Sequence, residues 1–382
     1  MEPWGLYVHI PFCPYKCDYC DFVAVGAGPR VARWHEPYAA DLGREARHWA
    51  ARLRPAAPPA TVFYGGGTPT LLPAPALAAL HAALAAAFGF GAEAEVTVEC
   101  NPGTVDAAGL RTLRAAGVNR LSIGLQAAQD RLLRALGRGH TCAQFEEAWA
   151  AARAAGFDNL SVDLMYGLPG QSGEDVEATL ATVLALRPEH VSAYALQVEE
   201  GTPFFERARR GQLPLPDDGA VADQFSAVRR GLAAAGLQHY EISNFARPGR
   251  RCRHNLFYWE NAAWLGLGVG AHSHWAGARW ANTSRLAVYR DALRAGAEGW
   301  VVGREPPDAE RARSEDAFLG LRLLDGLDLG AYARRHGIPL GAAFPGAVER
   351  LVATGLCEVA AGRLRLRPEA VAVGNLAFEA FV

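Results

Sequence analysis

The sequence contains almost no lysine and no long apolar segment. Of its 38 lysine and arginine residues only Lys16 is a lysine, and together with 40 acidic residues they give a formal net charge of -2 at pH 7. That charge gives no electrostatic argument for binding nucleic acid. No run of about 18 apolar residues is present, so we expect no transmembrane helix. Met1–Trp4 leads into a strand-like segment without a signal-peptide pattern, which predicts a cytoplasmic protein, with peripheral attachment to a membrane left open.

Cysteine is also scarce, and three of the seven cysteines lie close together near the start of the chain. Cys13, Cys17 and Cys20 are spaced C-x3-C-x2-C, and thiolates are soft ligands that select zinc or iron–sulfur clusters. An odd number of thiols and the lack of a secretion signal argue against a disulfide. The other four are scattered, and we expect them to be reduced core residues: Cys100, Cys142, Cys252 and Cys357.

Two kinds of metal site compete for the cysteine triad. Structural zinc sites usually have four ligands arranged as two short knuckles, and the sequence shows no second group of Cys or His at that spacing. A [4Fe–4S] cluster usually takes four cysteines, so three would hold it and leave one iron open to a substrate. The triad therefore predicts a cluster that takes part in chemistry, and a zinc site completed by a distant residue is the alternative.

Short β-like runs alternate with helical runs through the first half of the chain. Six such units predict a parallel sheet with right-handed crossovers. Six strands are too few for a closed eight-stranded barrel, so the expected fold class is α/β, with an open, partial (β/α)6 barrel. The predicted strands are Leu6–Ile10, Thr61–Tyr64, Glu95–Glu99, Arg120–Gly124, Leu160–Tyr166 and Val191–Leu196. The predicted helices are Pro37–Arg54, Ala74–Phe88, Asp106–Ala116, Ala128–Leu136, Cys142–Ala155 and Gly173–Leu186.

The C-terminal part of the chain is predicted to form a smaller unit. A further helix (Ala220–Gly236) and strand (His239–Ile242) follow the six β/α units. Glycine, proline and charged residues make Gly299–Asp308 a predicted linker, so we expect a core barrel over residues 1–298 and a small domain over residues 309–382. Helical patterns and a final hairpin predict a winged-helix-like arrangement in that domain: Arg311–Leu324, Leu329–His336, Ala347–Thr354 and Cys357–Leu366.

Polar residues and glycines follow the predicted strands, where a β/α barrel places its active site. The run Gly65–Pro69 would let a ligand approach the backbone closely, although a tight strand-to-helix turn explains it equally well. Glu99 ends the third strand, where it suits an amino group or ribose hydroxyls, or is simply solvated. Asp163 lies inside an apolar strand, which is costly unless the carboxylate is paired or ligand-bound. Either it forms a structural ion pair with Arg138, or both face a polar ligand, and we favour the ligand. Gln126 leaves the fourth strand at the same end of the barrel.

A separate segment of histidine and aromatic residues lies further along the chain. His254, Asn255, Tyr258 and Trp259 form the string HNxxYW. A histidine imidazole is a common axial ligand of heme iron, and aromatic side chains can flank a porphyrin. From the spacing alone we favour packing aromatics and a histidine bonded to the backbone. His9, inside the first strand, is also expected to be structural.

Together these strings resemble the radical S-adenosylmethionine (SAM) superfamily and, within it, the oxygen-independent coproporphyrinogen III oxidase-like family. The matching strings are YVHIPFC, GGGTPT, RLSIGLQ, VDLMYGLPGQ and GLGVGAHS, and the resemblance continues more weakly towards the C-terminus. It implies a [4Fe–4S] cluster whose open iron holds SAM. The implied cluster ligands are Cys13, Cys17 and Cys20, and the implied SAM contacts are Tyr7, Gly66 and Glu99. Positions that hold a second SAM in the decarboxylase correspond here to Tyr19, Gly67, Thr68, Gln126, Arg138 and Asp163.

Two features depart from the decarboxylase and resemble instead the HemW-like heme chaperones. Cys20 is followed by Asp21-Phe22, where the decarboxylase has Gly-Cys. The first strand begins without the extension that precedes it in the decarboxylase. The HNxxYW string is typical of the same group, which implies heme contacts from His254, Asn255, Tyr258 and Trp259.

The resemblance implies a cluster-binding and SAM-binding protein that passes heme to apo-hemoproteins, such as membrane cytochromes. A reductant such as ferredoxin or flavodoxin and a homodimer are further expectations. The alternative is a coproporphyrinogen III oxidase, which would use an adenosyl radical in the oxidative decarboxylation to protoporphyrinogen IX in heme biosynthesis. A nucleic-acid-modifying radical SAM enzyme is a third reading, which the near-neutral charge opposes. No residue is assigned a catalytic role.

Overall fold

The computed structural model describes residues 3–26, 29–296 and 298–382. Its strands, in chain order, are β1 (Trp4–Ile10), β2 (Phe12–Cys13), β3 (Val25–Gly26), β4 (Thr61–Gly66), β5 (Glu95–Cys100), β6 (Arg120–Gln126), β7 (Leu160–Tyr166), β8 (His190–Ala195), β9 (Gln238–Glu241), β10 (Asn244–Ala246), β11 (Ala263–Leu267), β12 (His272–Trp275), β13 (Ala278–Asn282), β14 (Val301–Glu305), β15 (Leu327–Asp328), β16 (Cys357–Ala360) and β17 (Arg363–Leu366). Its α-helices are α1 (Pro29–Ala32), α2 (His35–Leu53), α3 (Ala74–Phe88), α4 (Ala107–Ala115), α5 (Asp130–Ala135), α6 (Cys142–Ala154), α7 (Gly173–Ala185), α8 (Pro203–Arg209), α9 (Asp218–Ala234), α10 (Arg253–Trp259), α11 (Leu286–Ala295), α12 (Ala309–Gly320), α13 (Leu329–His336), α14 (Leu340–Ala343), α15 (Ala347–Ala353) and α16 (Asn375–Phe378). Short 3-10 helices cover Pro69–Leu71, Pro368–Val373 and Glu379–Phe381.

The centre of the fold is a parallel sheet in the order β1-β4-β5-β6-β7-β8. Its strands are nearly continuous apolar runs because a parallel sheet of this kind is covered on both faces, and all seven residues of β6 are buried. Helices α2, α3, α4, α6 and α7 lie in the crossovers between successive strands. The structure therefore confirms the six predicted β/α units and the open, partial barrel.

The crossover helices are specified by local signals that the sequence carries. Helices α6 and α7 each begin with a capping box, formed by Thr141 with Gln144 and by Ser172 with Asp175. In each box the two side chains accept hydrogen bonds from backbone N–H groups that the first helical turn leaves without partners. Helix α3 buries residues at helical spacing: Leu77, Leu80, Leu84 and Phe88.

Mostly antiparallel strands extend the sheet at both edges, and the sequence predicted only one of them, β9. Strands β10 and β9 follow β8, and on the other side β11 is parallel to β1 and is followed by the antiparallel β12, β13 and β14. The segment Gly299–Asp308, predicted as a linker, contains β14 and so forms an edge of the sheet. The prediction of a plain linker was wrong because charged side chains are also typical of an exposed edge strand.

The residues after β14 form the smaller C-terminal unit. Helices α12, α13 and α15 accompany a three-stranded sheet in the order β15-β17-β16, in agreement with the expected winged-helix-like arrangement. Backbone hydrogen bonds from Ile242 N to Arg322 O (3.2 Å) and from Leu324 N to Tyr240 O (3.0 Å) fasten this unit beside β9. Among the helices that the structure describes, none is long and apolar enough to cross a membrane.

Candidate functional site

The three cysteines of the triad line one cavity at the carboxyl end of the barrel strands. Cys13 ends β2, and Cys17 and Cys20 follow in the next loop, here called the cluster loop. The cavity, here called the upper cavity, has a volume of about 380 Å³. A backbone hydrogen bond of 3.1 Å from Asp18 N to Leu136 O holds the loop against the end of α5. The fold therefore presents all three thiols to the same space.

The glycine run after β4 is required by its close approach to the cluster loop. Gly67 N donates to Ile10 O at 2.8 Å. A Cβ atom on Gly67 would lie 2.7 Å from Phe12 O, and a Cβ atom on Gly66, whose φ is +110°, would overlap the ring of His9. Side chains are therefore excluded at both glycines. The run is a tight turn, and the same two glycines also line the upper cavity.

The residues predicted to bind the cluster and SAM converge on the upper cavity, with one exception. Eleven of the twelve line it: Cys13, Cys17, Cys20, Tyr19, Gly66, Gly67, Thr68, Glu99, Gln126, Arg138 and Asp163. The twelfth, Tyr7, lines a second cavity of about 210 Å³, here called the lower cavity. The Tyr7 hydroxyl is hydrogen-bonded to His9 Nδ1 at 3.1 Å. The two cavities adjoin, since Gly66, Glu99 and Asp163 line both.

One of the two predictions for Asp163 and Arg138 was a structural ion pair. Among the described residues, these two side chains do not form one. Arg138 Nη2 donates to Asn101 Oδ1 at 2.8 Å and to Gly124 O at 3.2 Å. Asp163 Oδ1 accepts from Ser122 Oγ at 3.0 Å. Both side chains line the upper cavity, so the ligand interpretation is the prediction left to test.

Gln126 reaches the upper cavity through an irregular end of β6. Its φ is +72°, and the register between β6 and β7 shifts between Gly124 and Gln126. A Cβ atom on Gly124 would lie 2.9 Å from Gln126 Nε2 and 3.1 Å from Arg138 Nη2. A left-handed conformation at a non-glycine residue costs energy, and such strain is concentrated at ligand sites. The bare Gly124 therefore leaves room for both polar side chains at the cavity wall.

Burial controls the protonation of the carboxyl groups in these cavities. It raises the pKa of Glu99 to about 8; the nearby Asp163 adds to the shift, and the hydrogen bond from Gly66 N to Glu99 Oε2 (3.1 Å) opposes it. Burial also raises the pKa of Asp163, against the hydrogen bond from Ser122. At pH 7 Glu99 is therefore mostly protonated, and a cationic ligand group beside it would favour the carboxylate.

The cysteine thiols of the upper cavity are soft donors of the kind that hold an iron–sulfur cluster. Burial raises the pKa of Cys13 to about 11 and raises that of Cys20, so a bound cation is needed to hold the thiolates. Among the described residues, no three His, Cys, Asp or Glu side chains are grouped to hold one metal ion, whereas a [4Fe–4S] cluster spreads its thiolate ligands over separate irons. Thr68 Oγ1 lies 3.8 Å from the sulfur of Cys13, and Arg138 Nη1 lies 3.8 Å from that of Cys17.

Helix α10 carries the HNxxYW string and lies against the amino-terminal ends of the barrel strands. The N–H groups of Arg253 and His254 donate to the carboxylate of Glu95, the first residue of β5, at 3.1 and 3.2 Å. Both imidazole nitrogens of His254 are bonded, Nδ1 to Thr61 Oγ1 at 2.7 Å and Nε2 to the Tyr258 hydroxyl at 2.9 Å. Burial lowers the pKa of this imidazole to about 3. Neither nitrogen is open to a heme iron in this conformation.

The four residues predicted to contact heme do not share one surface. His254, Asn255 and Tyr258 line the lower cavity. Trp259 instead lines a separate pocket of about 190 Å³ beside the C-terminal unit. The guanidinium carbon of Arg322 lies 4.3 Å from the centre of the Trp259 ring. Packing against the C-terminal unit therefore accounts for Trp259.

Among the cavity-lining residues that were not predicted, three bear on what the cavities can bind. Phe22 and Tyr194 are 62% and 42% exposed and line both cavities. Arg120, the first residue of β6, is 2% exposed and lines the lower cavity. In the sequence, Arg120 resembles a solvated charge at a strand boundary, and Phe22 was noted only as a difference from the decarboxylase. The sequence feature that could have indicated burial of Arg120 is its position as a charged residue at the start of an otherwise largely apolar strand.

Comparison with known proteins agrees with this architecture. The chain matches the Radical SAM superfamily over residues 7–183 and the HemN C-terminal domain over residues 308–373. The solved structure of the coproporphyrinogen III oxidase HemN from Escherichia coli superposes with a TM-score of 0.85 at 24% identity, covering 99% of this chain and 90% of that one. That likeness shows the fold, and the fold and the cysteine site together define a radical SAM protein.

More similar relatives identify the family. The heme chaperone HemW of Mycobacterium tuberculosis (strain ATCC 25618 / H37Rv) is 39% identical over 380 residues, which cover 97% of this chain and 94% of the relative. The heme chaperone HemW of Bacillus subtilis (strain 168) is 35% identical over 380 residues, which cover 98% of both chains. The chain belongs to the family of the heme chaperone HemW.

Proposed function

We propose that this protein binds a [4Fe–4S] cluster and SAM and acts as a heme chaperone that delivers heme to apo-hemoproteins. The observation that carries the proposal is the convergence of eleven predicted cluster and SAM residues on the upper cavity. The family supplies the remaining argument, since relatives that cover nearly the whole chain bear the name heme chaperone. Heme is the cargo in this proposal, and the cluster and SAM are resident cofactors.

In this proposal Cys13, Cys17 and Cys20 ligate the cluster and leave one iron for SAM. When bound, the cluster and SAM supply reducing electrons and a source of an adenosyl radical. The residues of the chain position these groups: Thr68 and Arg138 lie within reach of two of the cysteine sulfurs. Hydrogen bonds to cluster sulfurs tune the reduction potential, so these two side chains connect the SAM site with the cluster.

The proposed SAM contacts are Tyr7, Gly66 and Glu99, together with the remaining walls of the upper cavity. Glu99 suits the SAM amino group or ribose hydroxyls because its carboxyl group faces both cavities and has one hydrogen bond from Gly66. A volume of about 380 Å³ is that of a single small-molecule site. We therefore assign one SAM to the upper cavity, and the other residues there surround it: Tyr19, Gly67, Thr68, Gln126, Arg138 and Asp163.

Axial ligation of heme by His254 is a further prediction with a structural cost. The imidazole would have to give up its hydrogen bond to Thr61 or to Tyr258, each worth about 1 kcal/mol. Ligation through Nδ1 therefore requires α10 to move away from Thr61, and Asn255 and Tyr258 would move with it because they lie on the same helix. Ligation through Nε2 requires the Tyr258 side chain to turn away from the imidazole.

The other parts of the proposal concern partners and location. Apo-hemoproteins, including membrane cytochromes, receive the heme, and a ferredoxin or flavodoxin reduces the cluster. A homodimer and a cytoplasmic location with peripheral membrane contact complete it. The proposed division assigns both cofactors to residues 1–298 and leaves residues 309–382 as the small C-terminal domain.

Protein reconstituted with its cluster under anaerobic conditions tests the proposal through two measurements on one preparation. Titration with heme is expected to give a one-to-one complex, and mixing that complex with an apo-cytochrome is expected to move the heme to the acceptor. The same preparation, given coproporphyrinogen III, SAM and a reductant, is expected to form no protoporphyrinogen IX. The variant C20S is the control that separates heme binding from cluster binding.

The results also decide against the alternative function. Formation of protoporphyrinogen IX would assign the protein to the oxidases and contradict a dedicated chaperone. A preparation that holds its cluster but binds no heme would contradict the chaperone function directly.

A further inference from the structure

A buried arginine faces the lower cavity and makes no hydrogen bond to the other residues that the structure describes. Arg120 is 2% exposed and lines that cavity. Its Nε has no hydrogen-bond partner, and no hydrogen bond or ion pair joins its guanidinium to another described residue. Burying a charge in this way is costly unless it is compensated. A buried guanidinium that faces a cavity and makes no hydrogen bond to another described residue is therefore a candidate anion anchor.

The carboxyl groups around Arg120 are committed to other contacts. Glu95 interacts with it electrostatically, but the Glu95 oxygens accept hydrogen bonds from Arg253 N and His254 N at the start of α10. Asp163 Oδ1 accepts from Ser122 Oγ. These carboxyl groups stabilise the charge of Arg120 electrostatically but accept no hydrogen bond from its N–H donors. The donors remain for a ligand that enters the cavity.

The form of the guanidinium and the size of the cavity restrict that ligand. Arginine presents a planar fork of N–H donors that matches a carboxylate in a bidentate pair. A space of about 210 Å³ holds a short carboxylate arm but is smaller than a tetrapyrrole ring. Phe22 and Tyr194, which are 62% and 42% exposed, line both cavities and offer aromatic surface on which a flat ring can stack.

The carboxylate of SAM is a poor match for Arg120 because of distance. Arg120 begins β6 and Gln126 ends it at the upper cavity. Six strand residues separate their Cα atoms by roughly 20 Å. A SAM carboxylate that chelates a cluster on Cys13, Cys17 and Cys20 lies at the upper end. This separation of the two strand ends favours an anion from another molecule, and the test below also measures SAM binding.

We propose that Arg120 is the anchor of a carboxylate subsite in the lower cavity, and that it takes one propionate group of the heme while the ring stays at Phe22 and Tyr194. This inference rests on the proposed heme function. It also gives part of the HNxxYW string a role that needs no iron bond, since His254, Asn255 and Tyr258 form a wall of the same cavity.

The test compares heme with heme dimethyl ester, whose propionates are blocked, in the reconstituted wild-type protein and in R120M. Wild type is expected to bind heme roughly tenfold more tightly than the ester, or more, because a hydrogen-bonded ion pair is lost with the ester. R120M is expected to bind both equally and weakly. Equal affinity of the wild type for heme and ester, or a wild-type preference retained by R120M, overturns the subsite.

Two further measurements, heme binding by R120K and SAM binding by R120M, distinguish loss of the subsite from misfolding and from an effect on SAM. R120K retains the charge without the fork, so an intermediate heme affinity supports the subsite even where R120M does not fold, and a wild-type affinity of R120K overturns bidentate recognition. Weaker SAM binding by R120M with unchanged heme binding would assign the anchor to SAM and overturn the proposal.

Failure of the heme function is distinguished with a small probe. Sodium propionate, compared with sodium chloride, is expected to raise the melting temperature of wild type more than that of R120M or R120K. Wild type that binds no heme but responds to propionate contradicts the heme function and retains the carboxylate subsite. Wild type that binds heme but shows no propionate-specific shift contradicts the subsite alone.

Discussion

The two ends of the barrel are built in different ways from the same six strands. At the carboxyl end, the cluster loop and the turn at Gly66 and Gly67 leave thiols and carboxyl groups facing one cavity. At the amino end, α10 is bonded to the strands through Glu95 and Thr61. The upper end is therefore arranged for ligands. The lower end is arranged for stability, although Arg120 there makes no hydrogen bond to another described residue.

The comparison shows that the position of a motif in the barrel determines what the motif does. The C-x3-C-x2-C triad lies where loops leave its side chains open to a ligand. The HNxxYW string combines residue types that can bind heme, but it lies where packing occupies both nitrogens of His254. Four predictions test this contrast, ordered by the size of the expected effect.

Loss of one thiol at the carboxyl end is expected to have the largest effect. C17S removes a proposed cluster ligand, and a cluster held by two cysteines is expected to be lost almost completely. Iron and sulfide content and the visible absorption of the reconstituted protein measure this. C142S is the matched control, since Cys142 begins α6 and does not line the upper cavity. Equal iron content in C17S and C142S would contradict the assignment.

Removal of the His254 imidazole is expected to act on stability rather than on the cluster. H254A leaves the buried hydroxyls of Thr61 and Tyr258 without their partner, at a cost of roughly 2–5 kcal/mol. Urea unfolding measures the loss, and Y258F is expected to lose less because it removes one hydrogen bond.

A substitution at the upper end provides the contrast for H254A. Q126G removes a side chain from a position with φ of +72°, where glycine is not strained. It is expected to change the free energy of unfolding by less than about 1 kcal/mol. A loss in Q126G as large as that in H254A would remove the distinction between the two ends.

Glu99 is expected to make stability depend on pH. Burial raises the pKa of Glu99 to about 8, whereas the ordinary pKa of an unburied glutamate is 4.5. Between these values the folded state binds more protons, so stability falls as pH rises through that window. In E99Q this contribution is absent, so its free energy of unfolding relative to wild type should increase by roughly 2–4 kcal/mol from pH 5 to pH 8.

The exposed Glu349 supplies the control for this pH series. E349Q makes the same chemical change at a side chain that faces solvent, and the pH dependence of E99Q is compared with it. A difference between E99Q and wild type that does not change with pH would show that the Glu99 carboxyl group is not buried in the manner described.

Apart from the Q126G comparison, the smallest effect is expected at the glycine turn. G67A places a methyl group 2.7 Å from Phe12 O, and such overpacking costs roughly 1–3 kcal/mol. The melting temperature and the iron content should both decrease, because the added methyl group displaces the cluster loop. The control is G173A, at a position with no atom within 4 Å of the new methyl group. Equal melting temperatures for the two variants would contradict the close approach.

The barrel and the cluster site could be predicted because their signals are local. Apolar runs and capping residues mark each strand and helix, and the triad lies within eight residues. The convergence of Glu99, Gln126 and Asp163 followed from the rule that parallel strands bring their carboxyl ends together.

The remaining features depend on contacts between distant segments. β14 becomes a strand only by pairing with β13, and its composition equally suits a linker. Arg120 is enclosed because α10 returns to the strand ends from much later in the chain. The same return occupies His254. No local sequence pattern indicates these contacts between distant segments. The sequence therefore predicted the upper end of the barrel better than the lower end.

The most direct test of the central claim is electron paramagnetic resonance of the reduced, reconstituted protein before and after addition of SAM. A three-cysteine cluster with an open iron predicts about four irons per chain and a reduced-cluster signal whose shape changes when SAM binds. The signal should be absent from C17S and unchanged in C142S. Wild-type protein that takes up a single zinc ion, or a cluster signal that SAM leaves unaltered, would contradict the account.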